Sequence, residues 1–220
     1  MRLAILGTLI TVTALTTGCG GGDGGGGSTT GGGSTGGGST GSGGSSGMSR
    51  GTAASGIALG SAAITAKCRD GSTYSSTASV DGSFSITITA STYPCLLQAA
   101  KGGSVLRSVA LAEGVVNITP LTDMVVAKLG AMPSGDYFAA FPSGATVSPL
   151  SAANVAAAQA AVRTALGSIA NLALIPDLIT TPFTAASPTS SGDNIDKAID
   201  AVSAGLTAKG LTPYTVMTAM

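Results

Sequence analysis

The sequence predicts an α+β protein: an N-terminal antiparallel β-sandwich of about seven short strands, then a small bundle of amphipathic helices, all after a disordered Gly/Ser linker. Three observations predict it. Residues 20–47 hold only Gly, Ser, Thr and Asp23. Residues 52–118 alternate apolar and polar side chains between Gly-bearing turns. Residues 119–220 switch to apolar side chains at steps of three to five, punctuated by Ser/Thr-Pro pairs. The expected division is a signal peptide at 1–18, a lipidated Cys and linker at 19–51, a β-sandwich at 52–118 and a helical region at 119–220.

Composition narrows the function classes. Ten basic and ten acidic residues cancel, so a basic surface for nucleic acid is not a main theme. The chain has no His, which removes the commonest acid–base group and most zinc sites. Aromatics make up only 4 % of it, so the core must be built mostly from aliphatic side chains.

The N-terminus reads as an address. Met1-Arg2 supplies a positive start, and Leu3 to Leu15 is an apolar run interrupted only by Gly and Thr. That run is shorter than the ~17–25 residues a spanning helix needs. Small residues follow, as in a secretory signal peptide. The Gly18-Cys19 junction resembles the lipobox of bacterial lipoproteins. The resemblance implies that Cys19 is cleaved to the N-terminus and acylated, with the lipid bilayer as partner. Acyl chains at ~0.8 kcal/mol per buried methylene hold such a protein on a membrane. Gly20, rather than Asp, follows the Cys, which by the same resemblance favours the outer membrane. An ordinary signal peptide with an incidental Cys is the alternative.

Gly fills 17 of the 28 positions from 20 to 47, with two GGGST units in tandem at 31–40. A segment without apolar side chains cannot offset its ordering entropy and is expected to be disordered. Its r.m.s. span is roughly 30 Å. These glycines lack the flanking strand and helix of a phosphate loop.

The β region starts past Arg50. Phe84, Ile86 and Ile88 alternate with Ser85, Thr87 and Thr89, and Ile64, Ala66 and Cys68 share a face. Further runs are Leu96 to Ala100, Val105 to Leu111 and Val115 to Ile118. Asp70-Gly71, Asp81-Gly82, Gly102-Gly103 and Glu113-Gly114 supply turns. Ser79-Val80-Asp81-Gly82-Ser83-Phe84-Ser85-Ile86 resembles the "D-x-x-G-x-[FY]" hairpin of carboxypeptidase regulatory-like domains, although Asp and Gly are adjacent here. Gly56-Ile57-Ala58-Leu59 and Ala63-Ile64-Thr65-Ala66 resemble that family's first two strands. Asn117 to Thr122 is similar to a junction in lipoproteins carrying such a domain. The resemblance covers roughly residues 52–122 and implies a prealbumin-like β-sandwich that is non-catalytic, an assembly or binding module.

Besides Cys19, Cys68 and Cys95 remain, an even pair in an exported chain. Both have inward phase, which predicts a disulfide, with two free buried thiols as the alternative. Two Cys without His make an incomplete metal set, so no metal or other cofactor is expected.

The helical region carries three cap signals: Thr119-Pro120, Ser148-Pro149 and Thr212-Pro213. The first helix presents Leu121, Met124, Val125 and Leu129. The second, with Leu150, Val155, Ala158, Val162, Leu166 and Ile169, is expected to run to about Leu172. The third begins near Asp193 with Ile195, Ile199, Val202 and Leu206 on one face, and Gly210 stops it. Met220 ends the chain inside a helical pattern, which fits a shortened member of a longer family.

Two constellations invite chemistry. Asp193, Asp196 and Asp200 form one helical stripe, read here as a solvated face with acids placed well for the helix dipole. Tyr137, Phe138 and Phe141 cluster beside Pro133 and Pro142, either as packing or as an exposed ligand platform. No catalytic set emerges, and no S-x-x-K nucleophile exists. The reading is a non-enzymatic envelope lipoprotein with a structural or ligand-binding role and an unknown protein or glycan partner. An adhesion or glycan-binding module is the first alternative. A hydrolase using Asp and Ser alone is the second.

Overall fold

The computed structural model describes residues 45–218. The expectations for the leader, Cys19 and most of the linker fall outside them.

Seven strands come first: β1 (Ser46–Thr52), β2 (Ala63–Cys68), β3 (Thr73–Thr77), β4 (Ser83–Thr89), β5 (Cys95–Lys101), β6 (Ser104–Ala110) and β7 (Gly114–Val115). They form a four-stranded sheet in the order β3-β2-β5-β6 and a three-stranded sheet in the order β4-β1-β7. The alternation read from the sequence sets the faces. Phe84, Ile86 and Ile88 of β4 are buried while Ser83, Ser85 and Thr87 are exposed. On β2 and β5, Ile64 faces Ala99, Ala66 faces Leu97 and Cys68 faces Cys95. These cross-strand pairs make one wall of the core.

β1 corrects the linker boundary. The linker was expected to run to residue 51, yet the strand starts at Ser46. Its inward positions are Gly47, Ser49 and Gly51, so no apolar alternation marks it. Its order comes from partners: it pairs antiparallel with β4 from Ser46↔Thr89 to Thr52↔Ser83 and parallel with β7 at Ser49↔Gly114. A Cβ at Gly51 would run into the Val116 carbonyl, so only glycine lets the chains approach this closely. The parallel pairing continues at Ala53 with Ile118, so the strand region is not wholly antiparallel.

The apolar run at 56–59 is not a strand either. Residues 55–57 form a bend in which Gly56 takes φ +96° and Ile57 is exposed, while Ala54 bridges back to Ala58. The Asp81-Gly82 turn behaves as expected. Gly82 adopts φ +81°, and Asp81 accepts from the Ser83 N–H at 3.0 Å.

Six helices follow: α1 (Pro120–Gly130), α2 (Ser134–Ala140), α3 (Gly144–Val147), α4 (Ala152–Leu166), α5 (Asn194–Ala208) and α6 (Pro213–Thr218). A small hairpin of β8 (Ala186–Ser187) and β9 (Ser190–Ser191) precedes α5, so the region after 119 is not purely helical. Thr119 caps α1 as its sequence predicts, with Pro120 at the first turn. Thr119 Oγ1 accepts from Thr122 N, and Thr122 Oγ1 accepts from Thr119 N. Asp193 caps α5, accepting from Ile195 N and Asp196 N. The cap of α4 is Ser151, not Ser148, because Ser148 closes the short α3 in helical conformation and the buried Leu150 follows it. α4 also stops at Leu166, six residues before the expected end. Arg163 on its last turn donates instead to the carbonyls of Leu172, Ile175 and Pro176, tying down an irregular return segment.

A single cluster of buried apolar side chains runs from Ala53 and Ile64 through Leu97 and Val125 to Val202 and Val216. Its centre is α1. Leu121, Met124, Val125 and Val126 are each at most 1 % exposed, so apolar burial goes nearly round the helix. It packs on β6, α2, α4 and α6. Polar ties reinforce the join. Thr122 Oγ1 donates to the Arg107 carbonyl of β6 at 2.8 Å, and Arg107 lies 3.7 Å from Asp123. Ser134 donates to Asp123 at 2.8 Å, yet burial still pushes the Asp123 carboxyl above its ordinary value. Lys67 of β2 donates to the carbonyls of Phe138 and Ala139 at the end of α2.

Candidate functional site

The residues singled out from the sequence go to three different places. Cys68 and Cys95 meet as a disulfide across β2 and β5, with Cα atoms 4.0 Å apart and neither residue exposed. The alternative of two free thiols is thereby set aside. The pair closes a loop of 27 residues, worth roughly 3.5 kcal/mol in a loop-entropy account.

The aromatic cluster is packing. Tyr137 and Phe141 are each 1 % exposed and meet edge to face at 6.5 Å. Tyr137 donates to the Thr146 carbonyl at 2.6 Å, and burial pushes its phenol up to about 12. Phe138 is half-buried, with Lys67 and Arg107 each within 6 Å of its ring centre. These three rings form no open platform.

The acidic stripe departs from its expected solvated face. Asp193 is occupied as a cap, with Oδ2 accepting from Thr184 N. Asp196 is 1 % exposed; its Oδ2 accepts from Ala186 N at 2.9 Å, and its Oδ1 is buried without a partner. Asp200 Oδ1 is likewise buried and unpartnered, facing the bend at Gly56. Burial raises both carboxyls above their ordinary value. The Asp193 charge adds to this at Asp196, and the Asp196 charge adds to it at Asp200, while Ala186 N–H and Lys197 oppose it at Asp196. The β8–β9 hairpin covers what the helical wheel alone presents as an outer face. Among the described residues no group of three or more His, Cys, Asp or Glu is arranged to hold a metal.

A concavity lies elsewhere, between the β6–β7 segment, the Ala152–Gln159 stretch of α4 and the turn at 177–180. It measures about 370 Å³, at the lower end of the ~300–1,000 Å³ of small-molecule sites. Val109, Leu111, Val155 and Ile179 supply apolar walls, and Asp177 stands at the rim; Glu113 also lines the cleft, with its carboxylate lying against Gly47. Its floor is held by a buried amide. Gln159 Nε2 donates to Asp177 Oδ2 at 3.0 Å, and its Oε1 accepts from Leu178 N at 2.7 Å. Asp177 Oδ1 accepts from Ile179 N and Thr180 N at 2.8 and 2.7 Å. Burial opposes ionisation of Asp177, but these donors outweigh it and hold the carboxyl below its ordinary value. Asn117 anchors the far side of the turn, donating to the Thr181 carbonyl and accepting from Thr52 N. The turn is therefore a fixed rim attached to both the sheet and α4.

Sequence reasoning missed Gln159, Asp177 and Glu113. One signal for Gln159 was available. It falls beside Ala158 between Val155 and Val162 on the inward stripe of α4, where a polar side chain needs a partner. Comparison with family models, curated proteins and solved structures finds no match to the chain.

Proposed function

We propose that this chain is a membrane-anchored lipoprotein of a bacterial cell envelope, non-enzymatic, with a structural or ligand-binding role. The observation that carries the reading is the Gly18-Cys19 junction after a short apolar run, followed by the Gly/Ser/Thr-rich residues 20–45 between the Cys and β1. The Cys68–Cys95 disulfide supports export, because such bonds persist in oxidising compartments. No helix among the described residues is long and apolar enough to cross a membrane, so a lipid on Cys19 is the anchor this reading requires. In this reading the two sheets are a β-sandwich of the carboxypeptidase regulatory-like kind and the helices a bundle packed on it. The bound partner is a protein, a glycan or a small molecule, and the cleft beside Asp177 is where a small one would sit. The outer membrane is the proposed location.

Fractionation of the producing cells tests the reading. The wild-type chain is expected in the membrane fraction, and a chain in which a cleavable secretory leader without a Cys replaces residues 1–19 is expected in the soluble fraction. Equal distribution of the two would sink it.

A further inference from the structure

The β8–β9 hairpin is fastened to α5 through carboxyl groups, two of which keep a buried oxygen without a partner. We propose that the hairpin is a pH-sensitive clasp, closed on α5 when Asp196 and Asp200 carry protons and loosened when both are ionised.

The joints of the clasp lie at the start of α5. Thr184 N donates to Asp193 Oδ2 at 2.8 Å, and Ala186 N donates to Asp196 Oδ2 at 2.9 Å. Gly192 passes so near Asp196 that a Cβ there would overlap Oδ2. The Ala186 carbonyl accepts from Ala58 N at 2.7 Å, which ties the bend at 55–57 to the hairpin. The Phe183 carbonyl accepts from Thr52 Oγ1, so the root of the hairpin is held on β1 independently of the carboxyls. What they hold is the part from Thr184 to Gly192.

Asp196 and Asp200 stand one turn apart on the same side of α5, where like charges repel. Oδ1 of each is buried and accepts no hydrogen bond, and Asp200 Oδ1 faces Gly56. The surrounding segments offer no counter-charge. Residues 51–66 and 178–192 contain no charged side chain, and neither do 167–176, whose Ile169 meets Gly205 of α5. α1 also packs on α5, but its Asp123 is held by Ser134 and Arg107, and its Lys128 borders a hollow with Pro149 and Asn154. On α5 itself Asp193 adds negative charge beside Asp196, and Lys197 opposes it from an exposed position. Burial raises both carboxyls, and the neighbouring acids add to the effect. A raised carboxyl contributes stability below its ordinary value of 3.8 and loses it as pH rises through the folded value. The clasp is therefore firm in acid and weak at neutral pH.

Hydrogen exchange of the full chain in mild detergent, read by mass spectrometry at about pH 4 and about pH 7 and corrected for the intrinsic effect of pH, tests this. Protection of 184–192 should fall about tenfold more than that of α1 between the two conditions. Asp200→Asn should remove most of that fall. Asp196→Asn, which keeps an oxygen for Ala186 N, should do the same. Hairpin protection that is equal at the two pH values or lower in acid, a fall shared equally by α1, or a full fall in both variants would each overturn the proposal. The wild-type profile decides by itself should a variant fail to fold.

Discussion

Placing a carboxylate at position 125 should unfold strands and helices together. Val125 lies on α1 with no exposed surface, and the helix packs on β6 on one side and on α2, α4 and α6 on others. Val125→Asp removes an apolar side chain worth about 1.5–3 kcal/mol of burial. It also leaves a charged or newly protonated carboxyl with no partner at the centre of the shared core, a further cost of several kcal/mol. The total, about 4–7 kcal/mol, is comparable to the whole stability of an ordinary domain, ~5–15 kcal/mol. Val125→Ala, which makes only a small cavity, should cost about 2 kcal/mol and keep the fold. Urea unfolding followed by far-ultraviolet dichroism for the helices and by near-ultraviolet tyrosine signal gives the readout. One coincident transition is expected for wild type, shifted for Val125→Ala and largely lost for Val125→Asp. Two separated transitions, or an aspartate variant as stable as wild type, would refute the shared core.

Three more outcomes follow from named contacts. Mass spectrometry of the oxidised chain should show Cys68 and Cys95 joined, and reduction should lower stability by roughly 3.5 kcal/mol; free thiols on both residues in exported material would contradict this. Asp200→Asn should melt above wild type at neutral pH, because burial and Asp196 raise the Asp200 carboxyl in the folded state. A raised carboxyl contributes stability below its unfolded value and loses it as pH rises through the folded one. The advantage of Asn should therefore vanish below the ordinary value of 3.8, and a pH-independent advantage would count against the assignment. Gln159→Ala should cost about 1–3 kcal/mol by orphaning Leu178 N and one Asp177 oxygen, and should expose the 177–181 turn to protease; unchanged proteolysis would show the turn to be held by other means.

What was legible in the sequence is what local chemistry decides. The strict alternation of β4 requires one buried face, and Thr119 and Asp193 announce helix starts with side chains that bond the first turn. The inward phase of Cys68 and Cys95 is readable from the alternation of their strands, and the two residues face each other across β2 and β5. What was illegible depends on distant partners. β1 turns Gly47, Ser49 and Gly51 inward, so its strand character comes from β4 and β7 rather than from its own pattern. The run at 56–59 is apolar enough for a strand, but Gly56 takes a left-handed conformation and bends it. Asp196 lies on a helix whose outer side is covered by a hairpin that no helical wheel reveals. The cleft joins residues more than sixty apart, Val109 and Glu113 with Asp177, so only tertiary structure brings it into view.

The central claim is that a lipid on Cys19 holds this folded module at a membrane. Metabolic labelling with a palmitate analogue tests it most directly. The wild-type chain should carry the label on a mature form beginning at Cys19, and Cys19→Ser should carry none. Label retained in Cys19→Ser, or a mature wild-type chain with a free Cys19 thiol, would contradict the account.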